Sequence, residues 1–310
     1  GQTQIMNGAI SGDRELRKEG GGSTLTLANN NSGFNGFVNI QDGTLQLGNG
    51  GTSGALNPGV AINLNSGGAT LAFNRSDTLT QGTHFQSALS GSGQVAQKGS
   101  GTTILTGTNT YAGMTAVEAG KLLVNGSNTG TGTVNVASGA TLGGTGSVAG
   151  AVNVSGMLAP GASIESLATG AVSFLTGSTF AYELDSAALN GDLVYSTGAL
   201  DIAAGTTLTL TELASGTLGI GSKLTLISYF GGWTSAELFT YDAATLADDS
   251  IFTLGANQWQ FKYNDTTGGT NFSADQSGAT SFVTMSVVPE PATALLSGIG
   301  ILALLRRRRS

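Results

Sequence analysis

Few side chains in this chain are of types that do chemistry, and their spacing limits what each can do. His84 is the sole histidine, and its nearest upstream carboxylate is Asp77. A catalytic triad needs a nucleophile, a base and an orienting acid in one place. Serine and threonine are so abundant here that one lying near His84 carries no weight, and a structural histidine is the better reading. Glu183 and Asp185 stand two apart and would share one face of a strand. That spacing suits a calcium ion or paired-carboxylate chemistry. A solvated acidic face is the simpler account of this pair, and of Asp248 and Asp249. The candidate proton-abstracting bases, Lys98, Lys121 and Arg75, are isolated from carboxylate clusters along the chain. With no cysteine there are no disulfides, thiolate metal sites or thiol nucleophiles. The expectation is no catalytic residue, no metal site and no cofactor.

The elements that would position any site are strands. Of 310 residues, 50 are glycine and 4 proline, with charged residues at 10% and aromatics at 6%. Glycine at this level without a three-residue period excludes collagen, and scarce proline argues against a proline-rich linker. Between the glycines run short alternating segments at 23–27, 102–106, 133–136 and 206–211, with the period of a half-buried strand. The net charge is −7, and without Arg306, Arg307, Arg308 and Arg309 the remainder carries −11. So acidic a body repels phosphate backbones, and nucleic acid is not an expected partner.

Residues 36–47 align with 113–124, with glycines and apolar positions coinciding, and upstream 16–22 aligns with 95–101. Weaker copies return at 132–142 and 148–158. Strand, turn and strand repeated at such intervals indicate a solenoid, whose corners need small residues. Glycine is expected to supply positive φ at those corners, and Asn30, Asn31, Asn109 and Asn128 to occupy similar turns. From 161 onward large aromatics accumulate. Residues 215–285 are therefore read as the last coils and a cap over the open end, with a strand at 281–287 leading into the tail.

The tail has three parts: Val288-Pro289-Glu290-Pro291, an uncharged apolar stretch at 292–305, and the four arginines. Fourteen residues are short for a permanent span, which takes about 20. With snorkelling arginines the stretch can still insert during export, its basic end held in the cytoplasm. The chain begins Gly1-Gln2-Thr3 without a secretory signal, so the N-terminal part of an exported precursor is expected to lie upstream.

This tail resembles the PEP-CTERM sorting signal. The resemblance implies an exported protein handled by an exosortase-type membrane processing enzyme, with the cytoplasmic membrane engaged transiently through a short C-terminal hydrophobic helix. In the body, Lys98, Gly99, Gly101, Gly107, Asn109, Tyr111, Gly113, Thr115 and Gly120 are similar to the autotransporter-associated β-strand repeat, and the copy from Lys18 to Leu47 is more degenerate. Residues 158–164 and 191–194 also resemble segments near the end of autotransporter passengers. These resemblances imply a right-handed parallel β-helix. An autotransporter would continue into a β-barrel, whereas here the chain stops at a basic tail.

The fold class read from all this is all-β, a parallel β-solenoid. Its parts are a repeat-bearing solenoid over 1–160, continued solenoid and cap over 161–287, and a sorting tail over 288–310. The function read is a structural or adhesive surface protein, not an enzyme, with extracellular polysaccharide or further copies of itself as partners. Two alternatives stand beside it. Outward threonines at Thr24 and Thr26, or at Thr207, Thr209 and Thr211, would make a glycan- or ice-binding face. Acid and base residues clustered on one face would make a polysaccharide lyase.

Overall fold

The computed structural model describes residues 1–290 apart from 87, 232, 234 and 236. Every regular element among them is a strand, and the strands stack into a parallel β-solenoid. Sheet I has 10 strands, from Thr3–Met6 to Leu200–Ile202, each from a successive coil. Sheet II opens at Thr78–Thr80 and sheet III at Thr108–Asn109. In the first coils a four-stranded sheet IV, containing Glu15–Lys18 and Phe37–Ile40, forms another face. Coil length is not constant: Asn135 and Asn153 are stacked neighbours 18 residues apart, while Val172 and Leu200 are 28 apart.

Alternation within each strand produces the core. In sheet I one inward column runs Leu45, Leu71, Val95, Thr115, Val134 and Val152, aligned by parallel register. All six are buried. Each fully buried aliphatic side chain contributes about 1.5–3 kcal/mol. A one-residue slip would turn such a column outward, so the pattern also fixes the register.

The two ends differ. Thr3–Met6 is exposed along its whole length. At the other end Lys223–Tyr229 pairs parallel with Leu193–Ser196 on one side and antiparallel with Ser281–Val287 on the other. Asn257–Asp265 and Ile251–Leu254 extend this antiparallel meander. The strand read from sequence at 281–287 thus lies between the last parallel strand and the rest of the meander. An aromatic cluster fills the interior beneath: Phe174 lies 5.7 Å from Phe239, which stacks on Tyr263 at 6.0 Å. The Tyr263 hydroxyl donates to the Leu246 carbonyl at 2.7 Å and accepts the Phe239 N–H at 2.9 Å, so its polar tip is satisfied in the core. Pairing sheet III's last parallel strand in this way covers the edge that strand would otherwise leave open.

Candidate functional site: the repeat corners and the tethered cap

The two repeat copies lie on different faces. Residues 37–40 and 43–47 fall in sheets IV and I, whereas their counterparts, Thr115–Val117 and Lys121–Val124, fall in sheets I and II. The local unit is retained while its place in the coil advances by one face.

At each copy's first corner a long polar side chain points inward and closes the turn. Lys18 is buried, and its ammonium donates to the carbonyls of Glu19 at 2.7 Å, Gly20 at 3.2 Å and Asp42 at 3.0 Å, and to Ser23 Oγ at 2.8 Å. Burial lowers its pKa below the usual lysine value, and the Asp42 charge opposes that. Gln97, its counterpart, donates to the carbonyls of Gly99 at 2.8 Å and Gly101 at 3.3 Å and accepts the Thr103 hydroxyl at 2.6 Å. Lys98, the next residue, pairs with Glu118 of the following coil at 3.2 Å.

Many corner glycines take positive φ as expected, Gly43 at 71° among them, but most of the repeat-motif glycines act differently. Gly120 does take positive φ, at 60°, but Gly99, Gly101, Gly107 and Gly113 do not. Gly99, Gly101 and Gly113 are required because a Cβ there would overlap the carbonyl oxygens of Arg75, Asp77 and Gly93 in the coil below. Gly107 donates its N–H to Gln81 Oε1 at 3.0 Å.

The asparagines also correct the sequence reading, since none has positive φ. Asn31, Asn109 and Asn128 are buried and point inward. Asn109 Oδ1 accepts the Leu89 N–H at 2.9 Å and the Gln81 amide at 2.7 Å, while its amide donates to the Gly107 carbonyl. Asn128 donates to the hydroxyl of Tyr111 at 3.0 Å, and that hydroxyl also bonds Thr115 Oγ1 at 2.7 Å. Burial pushes the Tyr111 phenol up to about 12. The motif residues therefore carry corner-locking hydrogen bonds: Asn109, Tyr111 and Thr115 supply inward polar groups, and the glycines supply clearance.

Several of the remaining chemical candidates have structural partners. His84 Nδ1 accepts the Thr80 N–H at 3.0 Å within its own turn. Arg75 is buried against Asp77, with Nε and Nη2 at 2.8 and 2.7 Å from the carboxylate. That guanidinium holds the Asp77 carboxyl below its ordinary range. Asp185 accepts the Ala188 N–H at 3.0 Å, and Asp248 accepts the Tyr263 N–H at 3.0 Å. Asp249 pairs with Lys262 at 3.0 Å. Lys121 stands at an exposed outward position of sheet II. Thr26 faces outward but is 1% exposed, with the Gln46 amide 3.5 Å from its hydroxyl, so the Thr24 and Thr26 pair is not an open face. Thr207, Thr209 and Thr211 are exposed. Among the described residues no group of three or more His, Cys, Asp or Glu side chains is placed to hold a metal ion.

Sequence reasoning passed over Asp192. It is buried and accepts the N–H of Glu183 at 2.9 Å and of Glu165 at 3.0 Å, tying two coils together. Burial pushes its carboxyl up to about 7, against the pull of those two N–H groups, and the charges of Glu183 and Glu165 add to the rise. Asn271 reaches the Asp192 carbonyl at 3.0 Å and the Thr225 carbonyl at 2.9 Å, fastening the cap to the same place. The only available signal was the Gly191-Asp192-Leu193-Val194 segment already singled out.

Of the residues expected to form a sorting signal, Val288 donates its N–H to the Gln258 carbonyl at 2.9 Å, and Pro289 and Glu290 follow directly from the strand Ser281–Val287. Pro291, the apolar stretch and the four arginines lie outside the described residues, as does the short helix expected there. Among the described residues no helix is long and apolar enough to cross a membrane.

With this geometry in hand, comparison with known proteins gives three findings. Residues 16–47 and 95–124 match the passenger-associated transport repeat. Residues 287–309 match the PEP-CTERM protein-sorting motif. A stretch of 114 residues, 34% of this chain, is 42% identical to the adhesin BmaC autotransporter of Brucella suis biovar 1 (strain 1330), covering 3% of that protein's length.

Proposed function

We propose that this is an exported cell-surface or extracellular-matrix protein whose solenoid presents an adhesive outer face and whose tail is handled by an exosortase-type membrane enzyme. The observation that carries the reading is the order of parts: passenger-type repeats, a continuous stack closed by its own cap, then a sorting motif immediately after the cap strand. In this reading 1–160 and 161–287 form one displayed body, and Val288, Pro289, Glu290, Pro291 and the four arginines form the signal that the processing enzyme and membrane engage.

The likeness to an adhesin supports contact with polysaccharide, neighbouring cells or further copies of the chain as the role. Inward columns and corner bonds fix the scaffold, so the outward positions are free to serve binding. Rows repeated coil after coil favour many weak contacts over one strong one. A flat glycan-binding face is the second reading. It draws on Thr3, Thr24, Thr44 and Thr70, which stand in register along the outer side of sheet I. Cells displaying the chain and cells lacking it are compared for attachment to polysaccharide-coated surfaces and to one another. Attachment that rises with display supports adhesion, and equal attachment contradicts it.

A further inference from the structure

Sheet III carries an outward row in which Ser127, Ser147, Ala168 and Tyr195 occupy successive coils in register. Cap residues 272–278 fold back over this row. A groove of about 420 Å³ separates the two, floored by Gly146 and Ala168 and walled by Tyr195 on one side and by Ala274, Asp275 and Ser277 on the other. Ser166 on the floor strand donates to Asp275 Oδ2 at 2.7 Å, joining wall to floor across 109 residues of sequence.

The wall is held in advance of any ligand. Asn271 accepts the Thr225 N–H at 2.8 Å and donates to the carbonyls of Gly191, Asp192 and Thr225. Gln276 accepts the Thr225 hydroxyl at 2.8 Å and donates to the Asn271 carbonyl. Both amides are buried. The Tyr195 ring, half-buried, is braced edge-on by Phe230 with centroids 6.1 Å apart. A groove whose walls are fixed spends little binding free energy on ordering itself.

We propose that this groove is a saccharide-binding site for a neutral sugar unit. The apolar C–H face of the sugar lies on the Tyr195 ring, whose π face is negative. Its hydroxyls donate to the exposed Asp275 carboxylate and exchange hydrogen bonds with Ser277. Among the described residues no Lys or Arg lines the groove, so it has no cationic partner for phosphate or sulfate, and Asp275 repels a uronic acid. The hydroxyls of Ser147 and Ser127, 2.9 Å apart, continue the row beyond the groove for a longer chain. The assignment deepens the adhesive reading and rests on it for its biological setting.

The test is calorimetric titration of the full chain with cello-, malto- and chito-oligosaccharides, and with oligogalacturonate as the charged comparison. The expected result is saturable binding of a neutral oligosaccharide, at least tenfold weaker binding of oligogalacturonate, and a loss of at least tenfold in Asp275→Ala and in Ala274→Trp with unchanged unfolding midpoints. The second variant fills the groove and leaves the Ser166 bond in place, covering the case in which the first perturbs the fold. No neutral binding, or binding that survives both substitutions, overturns the site. Sugar binding by the purified chain without any gain in cell attachment supports the groove and removes the adhesive reading. Cell attachment that rises with display yet is indifferent to both variants, while sugar binding is lost in both, supports the groove as a sugar site and assigns adhesion to another face.

Discussion

Asn31 and Asn109 stand in different sheets, yet they make the same two bonds: each accepts a backbone N–H from the preceding coil, of Ile10 and of Leu89, and each donates to the carbonyl two residues before it. The sequence repeat is therefore a repeat of corner chemistry. It is not a repeat of position around the axis.

Asn109→Leu should be strongly destabilising, because the Leu89 N–H and the buried Gln81 amide lose their acceptor. Each buried polar group left unpaired costs about 1–3 kcal/mol. Asn153→Ala, which removes an outer-face bond to Asn135, should stay within about 0.5 kcal/mol. Denaturant unfolding of the two variants makes the comparison, and equal losses would refute the locking role.

Lys18 and Gln97 close equivalent corners, so Lys18→Gln should retain near-normal stability while Lys18→Met should not. Methionine fills the space but leaves the carbonyls of Glu19 and Asp42 without their donor, at about 1–3 kcal/mol. Thermal melts that rank Met above Gln would show that the corner wants volume and not a donor.

Gly120 and Gly139 both have positive φ, at 60° and 80°, but only at Gly120 would a Cβ meet the coil below, at the carbonyls of Gly99 and Gly101. Alanine at Gly139 should cost about 1 kcal/mol for the backbone conformation. Alanine at Gly120 should cost a further ~1–3 kcal/mol for overpacking. The gap between their unfolding free energies measures the contact between coils, and no gap would mean that glycine serves conformation alone.

Asp192 makes stability depend on pH in a stated direction. Its carboxyl is pushed up to about 7, above the unfolded value of about 3.9. The folded state therefore holds a proton that the unfolded state has released between those values. The contribution is fully present below about pH 4 and is lost as pH rises through 7. Between pH 5 and 8 Asp77 stays ionised, its carboxyl lying below the usual range, and adds no opposing slope. Unfolding free energy should fall across that window, and Asp192→Asn should flatten the fall. A flat wild-type profile would contradict the assignment.

What the sequence disclosed was everything with a short period. Alternation in Thr24–Leu27 and Thr102–Leu105, the alignment of 36–47 with 113–124, and the cap strand Ser281–Val287 were all legible, because each depends on neighbours within one coil. What lay hidden depends on the coil below. Register partners in successive coils stand between 16 and 33 residues apart, so spacing alone does not say that Lys98 meets Glu118 or that Gly99 abuts Arg75. The groove beside Tyr195 was more remote still, since Ser166 and Asp275 are 109 residues apart and meet only through the cap. The inward asparagines were misread in part for the same reason: Asn31 and Asn109 each keep one local bond, to the carbonyl two residues before, but the N–H groups they accept lie one coil away.

The central claim, that the tail directs this body out of the cell, is tested most directly by intact-mass spectrometry of the protein recovered from envelope, membrane and medium fractions of its native cells. The account predicts an external pool whose mass lacks residues 292–310. An intact tail on a soluble cytoplasmic pool would contradict it.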